Sequence, residues 1–349
     1  MIELAVYVSG HGFGHATRTA EVLRELRSLR PATTLGVATA APERLFRAPV
    51  GDPLRHRALH CDVGLVQRDA LEIDEEGTEA RVAAFAAGYP GLVAREADWL
   101  RAEGVRLVLG DVPPLAFDAA AAAGVPALGL ANFSWDWIYG HLAARRPGLA
   151  AAAQAAARAY SRAALLLELP FAGDLSAFPR REAIPLLARH PRVPRAAARA
   201  RLGWKVGETV VLLSFGGIGV ELDRAPLAAA PFRVVFSDDV APLLEGPGLG
   251  YQDLVAAADV VVSKPGYGIV SDLAAARGRL VYTERGDFPE YPIMVREMPR
   301  YLPAVHLSNA DLAAGRIAAA VEAVLALPLP PAPDSSGAAV AARRIIERL

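Results

Sequence analysis

Residues 9–18 read SGHGFGHATR, so His11 and His15 stand inside a glycine-rich turn. Gly10, Gly12 and Gly14 let the backbone turn tightly and approach a ligand closely. An apolar run precedes the turn and a helical pattern follows it. The unpaired N–H groups and the dipole at such a helix start favour an anion. A glycine triplet alone also fits a plain tight turn, but a turn has no need of histidine. Either His15 or His11 is suited to accept a proton near neutral pH.

A second cluster lies at residues 259–272, DVVVSKPGYGIVSD, again in the pattern strand, turn, helix. Pro265, Gly266 and Gly268 shape the turn, and Lys264 adds a full positive charge. Ser271 and Asp272 fall about one turn into the helix. A carboxylate there can accept hydrogen bonds from sugar hydroxyls; the plain alternative is a solvated first-turn acid favoured by the dipole. A third glycine cluster, SFGGIG at residues 214–219, follows another apolar run. The acids of ERGDFPEY, residues 284–291, either bind sugar hydroxyls or form a solvated loop. Each loop follows the carboxyl end of an expected strand, where open parallel sheets place ligands.

Several chemistries are excluded by spacing. The first loop runs G-x-G-x-G rather than G-x-G-x-x-G, and the second expected strand ends without an acid to hold a ribose, so the dinucleotide fingerprint fails. There is no Gly-Lys-Ser/Thr for a phosphate loop and no D-x-D, so a metal is not demanded. The formal net charge is −1, with both signs dispersed, which argues against a nucleic-acid-binding face. Cys61 is the single cysteine, which rules out an intrachain disulfide and a cysteine-based metal site. The N-terminus enters a strand directly and lacks an export pattern, so a cytoplasmic setting is expected.

The elements that position these loops follow from the apolar pattern. Residues 2–9 form a nearly continuous apolar run, the mark of a strand buried on both faces. Val22, Leu23, Leu26 and Leu29 form the stripe of a helix that Pro31 ends. Further strands are expected at 34–38, 106–109, 127–130, 164–167, 209–214, 232–236, 259–263 and 280–283. Helices are expected at 252–258, 268–277, 311–326 and 337–349. The chain has 349 residues, 53 % of them hydrophobic, with a mean hydropathy of +0.26. Alanine carries much of that value, and no stretch approaches the roughly 18 uncharged apolar residues of a membrane span. Strand–helix alternation predicts an α/β class with mostly parallel sheets. The prolines at 179, 185, 191 and 194 read as an interdomain connection. The expected division is 1–172, a linker at 173–201, 202–330, and a terminal helix within 331–349.

The segments YVSGHGFGHATR, LGDVPPLAFDAA, ANFSWDWIY, LLSFGG and SKPGYGIVSD, in this order, resemble the GT-B superfamily of glycosyltransferases. The resemblance is to the family-28, MurG-like type, and closer to the glycosyltransferase-like N-terminal half of L-arabinokinase. It implies two Rossmann-like domains with parallel sheets facing an interdomain cleft, the first on the acceptor side and the second holding a nucleotide-sugar donor. The last helix is expected to pack back on the first domain. By motif position His15 is implied as the catalytic base, His11 as second candidate, and Asp111 as an acceptor or histidine-orienting group. Gly12, Phe13, Gly14, Arg18, Asn132, Trp135 and Asp136 are implied on the acceptor side; aromatic faces suit sugar rings, and a tryptophan pair is equally common as core filler. Gly216, Gly217, Ser263, Lys264, Gly266, Tyr267, Gly268, Ser271, Asp272 and Glu290 are implied at the donor. Asp272 stands where related enzymes carry a glutamate, one methylene longer.

The implied activity is metal-independent transfer of a sugar from a nucleoside diphosphate sugar, expected to be a UDP-sugar, to an acceptor hydroxyl, with no cofactor. Alternatives on the same architecture are a nucleotide-sugar epimerase or hydrolase and a non-catalytic nucleotide-sugar-binding protein. The resemblance names a nucleotide sugar and an acceptor as partners and leaves peripheral membrane contact and oligomeric state open. L-arabinokinase also carries a sugar-kinase domain, whose activity is not carried over to this sequence.

Overall fold

In the computed structural model, which describes residues 1–69, 71–215, 222–244 and 248–349, the first apolar run becomes β1 (Leu4–Val8), buried at all five positions. Six more strands join it: β2 (Leu35–Thr39), β3 (Leu54–Ala58), β4 (Leu107–Asp111), β5 (Ala127–Ala131), β6 (Leu165–Glu168) and β7 (Arg181–Ala183). They pair in parallel in the order β3-β2-β1-β4-β5-β6-β7. Helices α1 (Phe13–Leu29), α2 (Arg44–Val50), α3 (Glu75–Glu103), α4 (Pro114–Ala123), α5 (Trp135–Leu142) and α6 (Leu149–Tyr160) supply the crossovers that parallel pairing requires. The apolar stripe of α1 buries Val22, Leu23 and Leu26, while Leu29, included by spacing, is half-exposed. The register Val8↔Asp111 sets the turn after β1 beside the end of β4, which positions the first site.

A second parallel sheet orders β8 (Val210–Leu213), β9 (Arg233–Phe236), β10 (Val260–Ser263), β11 (Leu280–Tyr282) and β12 (Ala304–His306) as β12-β11-β10-β8-β9. Its helices are α7 (Arg195–Arg201), α8 (Ala225–Ala228), α9 (Ser237–Val240), α10 (Tyr251–Ala257), α11 (Tyr267–Ala276), α12 (Glu290–Glu297), α13 (Asn309–Ala313) and α14 (Ala318–Ala326). The single helix expected at 311–326 is thus two. Gly315 has φ +66°, and a Cβ there would stand 2.3 Å from the Asp223 carbonyl oxygen, so the chain turns at a residue that must be glycine. Val211, Leu213, Val260, Val262, Val281 and Val321 centre the core of this sheet.

The chain divides into one unit of Met1–Val66, Ile73–Leu187 and Ser336–Leu349, and another of Gln67–Glu72 and Ala188–Ser335. The expected linker at 173–201 is therefore not a separate segment. It contributes β7 to the first sheet and α7 to the second unit, both too short for apolar periodicity to reveal. Leu71, from Gln67–Glu72, packs on the core of the second unit. The last helix, α15 (Gly337–Ile346), belongs to the first unit, where it buries Ala338, Ala341, Ala342 and Ile345 and packs along α1. Among the described residues no helix is long and apolar enough to cross a membrane.

One buried polar strut ties α3 to the first sheet. Glu96, 3 % exposed, accepts from both terminal nitrogens of Arg57 at 2.7 Å and from the Tyr7 hydroxyl at 2.8 Å. Removing one partner strands the others in a dry environment. Glu96→Ala is expected to lower unfolding free energy in urea by about 3 kcal/mol. Tyr7→Phe, which deletes one hydrogen bond, is expected to cost about 1 kcal/mol.

Candidate active site

The loop from β1 to α1 turns at Gly12, whose φ of +76° a side-chain-bearing residue adopts only under strain. Phe13 then opens α1 with 48 % of its surface exposed. One turn in, His15 Nδ1 lies 2.8 Å from Asp111 Oδ1 at the end of β4. Asp111 has no exposed surface and takes three further donors: Arg18 Nε on Oδ2 at 2.9 Å, an Arg18 terminal nitrogen on Oδ1 at 2.5 Å, and Thr19 Oγ1 on Oδ2 at 2.6 Å. The other Arg18 terminal nitrogen donates to Asn132 Oδ1 after β5 at 2.8 Å. Burial pushes the Asp111 carboxyl up, but the Arg18 guanidinium and His15 outweigh it and hold the group well below the usual carboxylate range. An ionised carboxylate only accepts, so the neutral form of His15 carries its proton on Nδ1 and has its lone pair on Nε2. The next residue, Val112, has φ +80°, a costly conformation for a β-branched residue of the kind that concentrates at functional sites. The Tyr160 hydroxyl holds its carbonyl at 2.8 Å.

His11 is arranged differently. The Leu65 backbone N–H donates to its Nδ1 at 3.3 Å, so neutral His11 carries its proton on Nε2. Gly64 makes this possible, because a Cβ there would fall 2.7 Å from the imidazole. Of the two readings open for Trp135, a ring offered to the acceptor and core filler, burial favours the second. It is fully buried, stacked on Tyr139, with its indole N–H donating to Asp62 Oδ2 at 2.8 Å. Its contribution is to support the loop: His11 meets its ring edge-on at 5.7 Å. Asp136, in the first turn of α5, is half-buried; burial raises its carboxyl, and Oδ1 has no hydrogen-bond partner.

Asp62 is a site residue that sequence reasoning missed. Burial raises its carboxyl, against Ser9, Trp135, His15 and the Gly10 N–H, which favour the charge. It sits in HCDVGLV, a stretch without periodicity or motif, and its partner Trp135 is 73 residues away.

In the second unit, register Ser263↔Tyr282 brings the loops after β10 and β11 to one sheet edge. Lys264 leaves β10 there, followed by the N-terminus of α11. A Cβ on Gly266 or Gly268 would meet nothing within 4 Å, so that backbone is open. Burial, then the nearby Arg285 guanidinium, lowers the Lys264 ammonium to about 8, opposed by Asp69. Arg285, also missed, is itself lowered by burial and held by Glu290 Oε2 at 3.1 Å. Glu290 is buried against that arginine, so it is not the solvated acid that sequence reasoning kept open.

Asp272 is 2 % exposed, which excludes the solvated first-turn acid. Oδ1 accepts the Arg189 backbone N–H at 2.9 Å, and Oδ2 accepts the Arg189 guanidinium, with Nε at 3.0 Å. Ser263 and Ser271 are buried too, donating to the carbonyls of Ser214 and Gly268 at 2.5 and 3.0 Å. Tyr267, the first residue of α11, is also buried. The residues expected at the donor thus separate into an open set, Lys264, Gly266 and Gly268, and a set buried behind them. Gly216 and Gly217 lie outside the described residues.

No family model matches the sequence. L-arabinokinase of Arabidopsis thaliana is 32 % identical over 325 residues, covering 89 % of this chain and 31 % of that protein. The chain thus spans about a third of the length of the curated relative it matches. Among solved structures, the glycotransferase of kitacinnamycin superposes with a TM-score of 0.62 at 16 % identity, covering 99 % of both chains. A UDP-glucosyltransferase from Polygonum tinctorium capable of glucosylating indoxyl gives 0.61 at 13 %, covering 100 % of this chain and 93 % of that one. The glycosyltransferase SnogD from Streptomyces nogalater gives 0.56 at 16 %, covering 100 % of both. The chain has the GT-B glycosyltransferase fold, and its sequence is related to a portion of L-arabinokinase.

Proposed function

We propose that this chain is a metal-independent glycosyltransferase that moves a sugar from a UDP-sugar to an acceptor hydroxyl. The observation that carries the reading is the His15–Asp111 pair, whose tautomer leaves His15 Nε2 as a proton acceptor at the end of the first sheet. His15 takes the acceptor proton, the oxygen attacks the anomeric carbon, and the nucleoside diphosphate leaves. Lys264, Arg285 and the N–H groups at the start of α11 stabilise the departing charge. In its neutral tautomer His11 carries a proton on Nε2 and so presents a donor there rather than a second base. The GT-B neighbours, two of them glycosyltransferases by name and one a UDP-glucosyltransferase, support the donor class. The MurG-like subtype and a cytoplasmic setting belong to the same reading.

A second reading, a nucleotide-sugar-binding protein without transfer, is favoured by Asp272, because the acid implied at the donor's sugar hydroxyls is already engaged by Arg189. Donor binding with no product from any acceptor would select it. Turnover of donor without acceptor would select an epimerase or hydrolase.

Three outcomes are expected. In a thermal-shift panel of nucleotides, UDP stabilises the protein, by about 2.7 kcal/mol at a hundred times its Kd; no response from any nucleotide would remove the donor site. Gly268→Ala places a methyl in open space on a helix, so it raises stability by about 0.5–1 kcal/mol yet weakens UDP binding at least about tenfold if phosphate lies against that backbone. With UDP-glucose and a panel of hydroxyl acceptors, His15→Gln lowers turnover by about 10²–10⁴-fold and spares UDP binding.

The pH dependence has a definite sign. Lys264 titrates at about 8, and an anion favours its charged form. UDP affinity by calorimetry is expected to hold below pH 8 and to fall as pH rises through 8. Lys264→Met should be weaker throughout and lack this fall.

A further inference from the structure

His15 and Arg18 share one oxygen of Asp111. His15 Nδ1 sits 2.8 Å from Oδ1 and an Arg18 terminal nitrogen 2.5 Å from it, so the two nitrogens are no further apart than those distances laid end to end. A permanent positive charge at that range disfavours a second one. Arg18 is also held in place. Its Nε bonds Oδ2 at 2.9 Å, its other terminal nitrogen bonds Asn132 Oδ1 at 2.8 Å, and it is 5 % exposed. A carboxylate alone against an imidazole draws a proton onto it. The nitrogen needed as a base would then be occupied over more of the neutral range.

We propose that Arg18 is a positioning residue that offsets the charge of Asp111, keeping His15 Nε2 unprotonated at neutral pH while Asp111 still fixes the tautomer. The inference rests on the reading of His15 as the base. Among the described residues, Asp111 from β4 and Asp62 from the loop after β3 act electrostatically on His15, and Arg18 from α1 shares Asp111 with it; the Phe133 ring, 5.5 Å away, is uncharged. Asp62 pulls toward the imidazolium, which makes the opposing guanidinium more consequential.

The test is an NMR titration of His15 in the full chain labelled with ¹³C-histidine, with His15→Gln to assign the resonance. Arg18→Met is expected to move the His15 midpoint upward by about one pH unit or more. Asp111→Asn should move it downward, and the double variant should return it toward wild type. Arg18→Lys, which keeps the charge, should stay near wild type. A midpoint in Arg18→Met within about 0.2 units of wild type would overturn the proposal. If Arg18→Met does not fold, the double variant decides, since it removes both charges together. A midpoint equal to that of Asp111→Asn alone would then overturn it. The titration needs no substrate, so its failure is separate from failure of the transferase reading, which the turnover assay with UDP-glucose and hydroxyl acceptors tests.

Discussion

A carboxylate with no surface exposed to water is stable only when donors replace the water it has lost. Asp111 is such a group, and its donors all come from α1, more than 90 residues earlier in the sequence. His15, Arg18 and Thr19 reach it from α1, and Arg18 extends the network to Asn132 after β5. The turn after β1 must therefore be short and must enter α1 at a fixed angle, which Gly12 permits. The backbone beyond Asp111 is held in a strained conformation at Val112, and the Tyr160 hydroxyl on its carbonyl helps to hold it. Of this assembly Gly10, Gly12, Phe13 and Gly14 are exposed, His11 is half-buried and His15 is buried.

The second unit solves a different electrostatic problem. It keeps two cations, Lys264 and Arg285, partly desolvated and near each other at one sheet edge, where burial and mutual repulsion both work against charge. Glu290 compensates Arg285. An anion would relieve that repulsion and would also meet the N–H groups that open α11. Asp272 contributes differently, since Arg189 already satisfies it. That ion pair fastens the segment after the first unit to α11 within the second unit.

Much of the architecture was legible because it rests on local pattern. Continuous apolar runs marked the central strands, which are buried on both faces. The strands that escaped notice are those for which that rule fails. LRHRA at β3 is an edge strand that carries Arg55 exposed and Arg57 turned to Glu96, and β7 and β12 have three residues each. The predicted linker dissolved for the same reason, since its short pieces belong to sheets and helices already built elsewhere. Gly315 divided an apparently continuous helix because of a contact with Asp223, more than 90 residues earlier, that no local pattern records.

For the site, sequence by itself determined the loops: glycine spacing, the paired histidines, the lysine before Pro265, and the places where strands hand over to helices. Those are properties of neighbouring residues, and elementary backbone chemistry constrains them. Only the tertiary structure decided what each side chain is free to do. It made His15 and His11 opposite tautomers, buried Trp135 and Asp272, and brought Asp62 and Arg285 into sites that their own surroundings in sequence do not mark. The reason is physical. Burial, tautomer and charge depend on partners dozens of residues distant, and strand register, rather than sequence spacing, sets which of them meet.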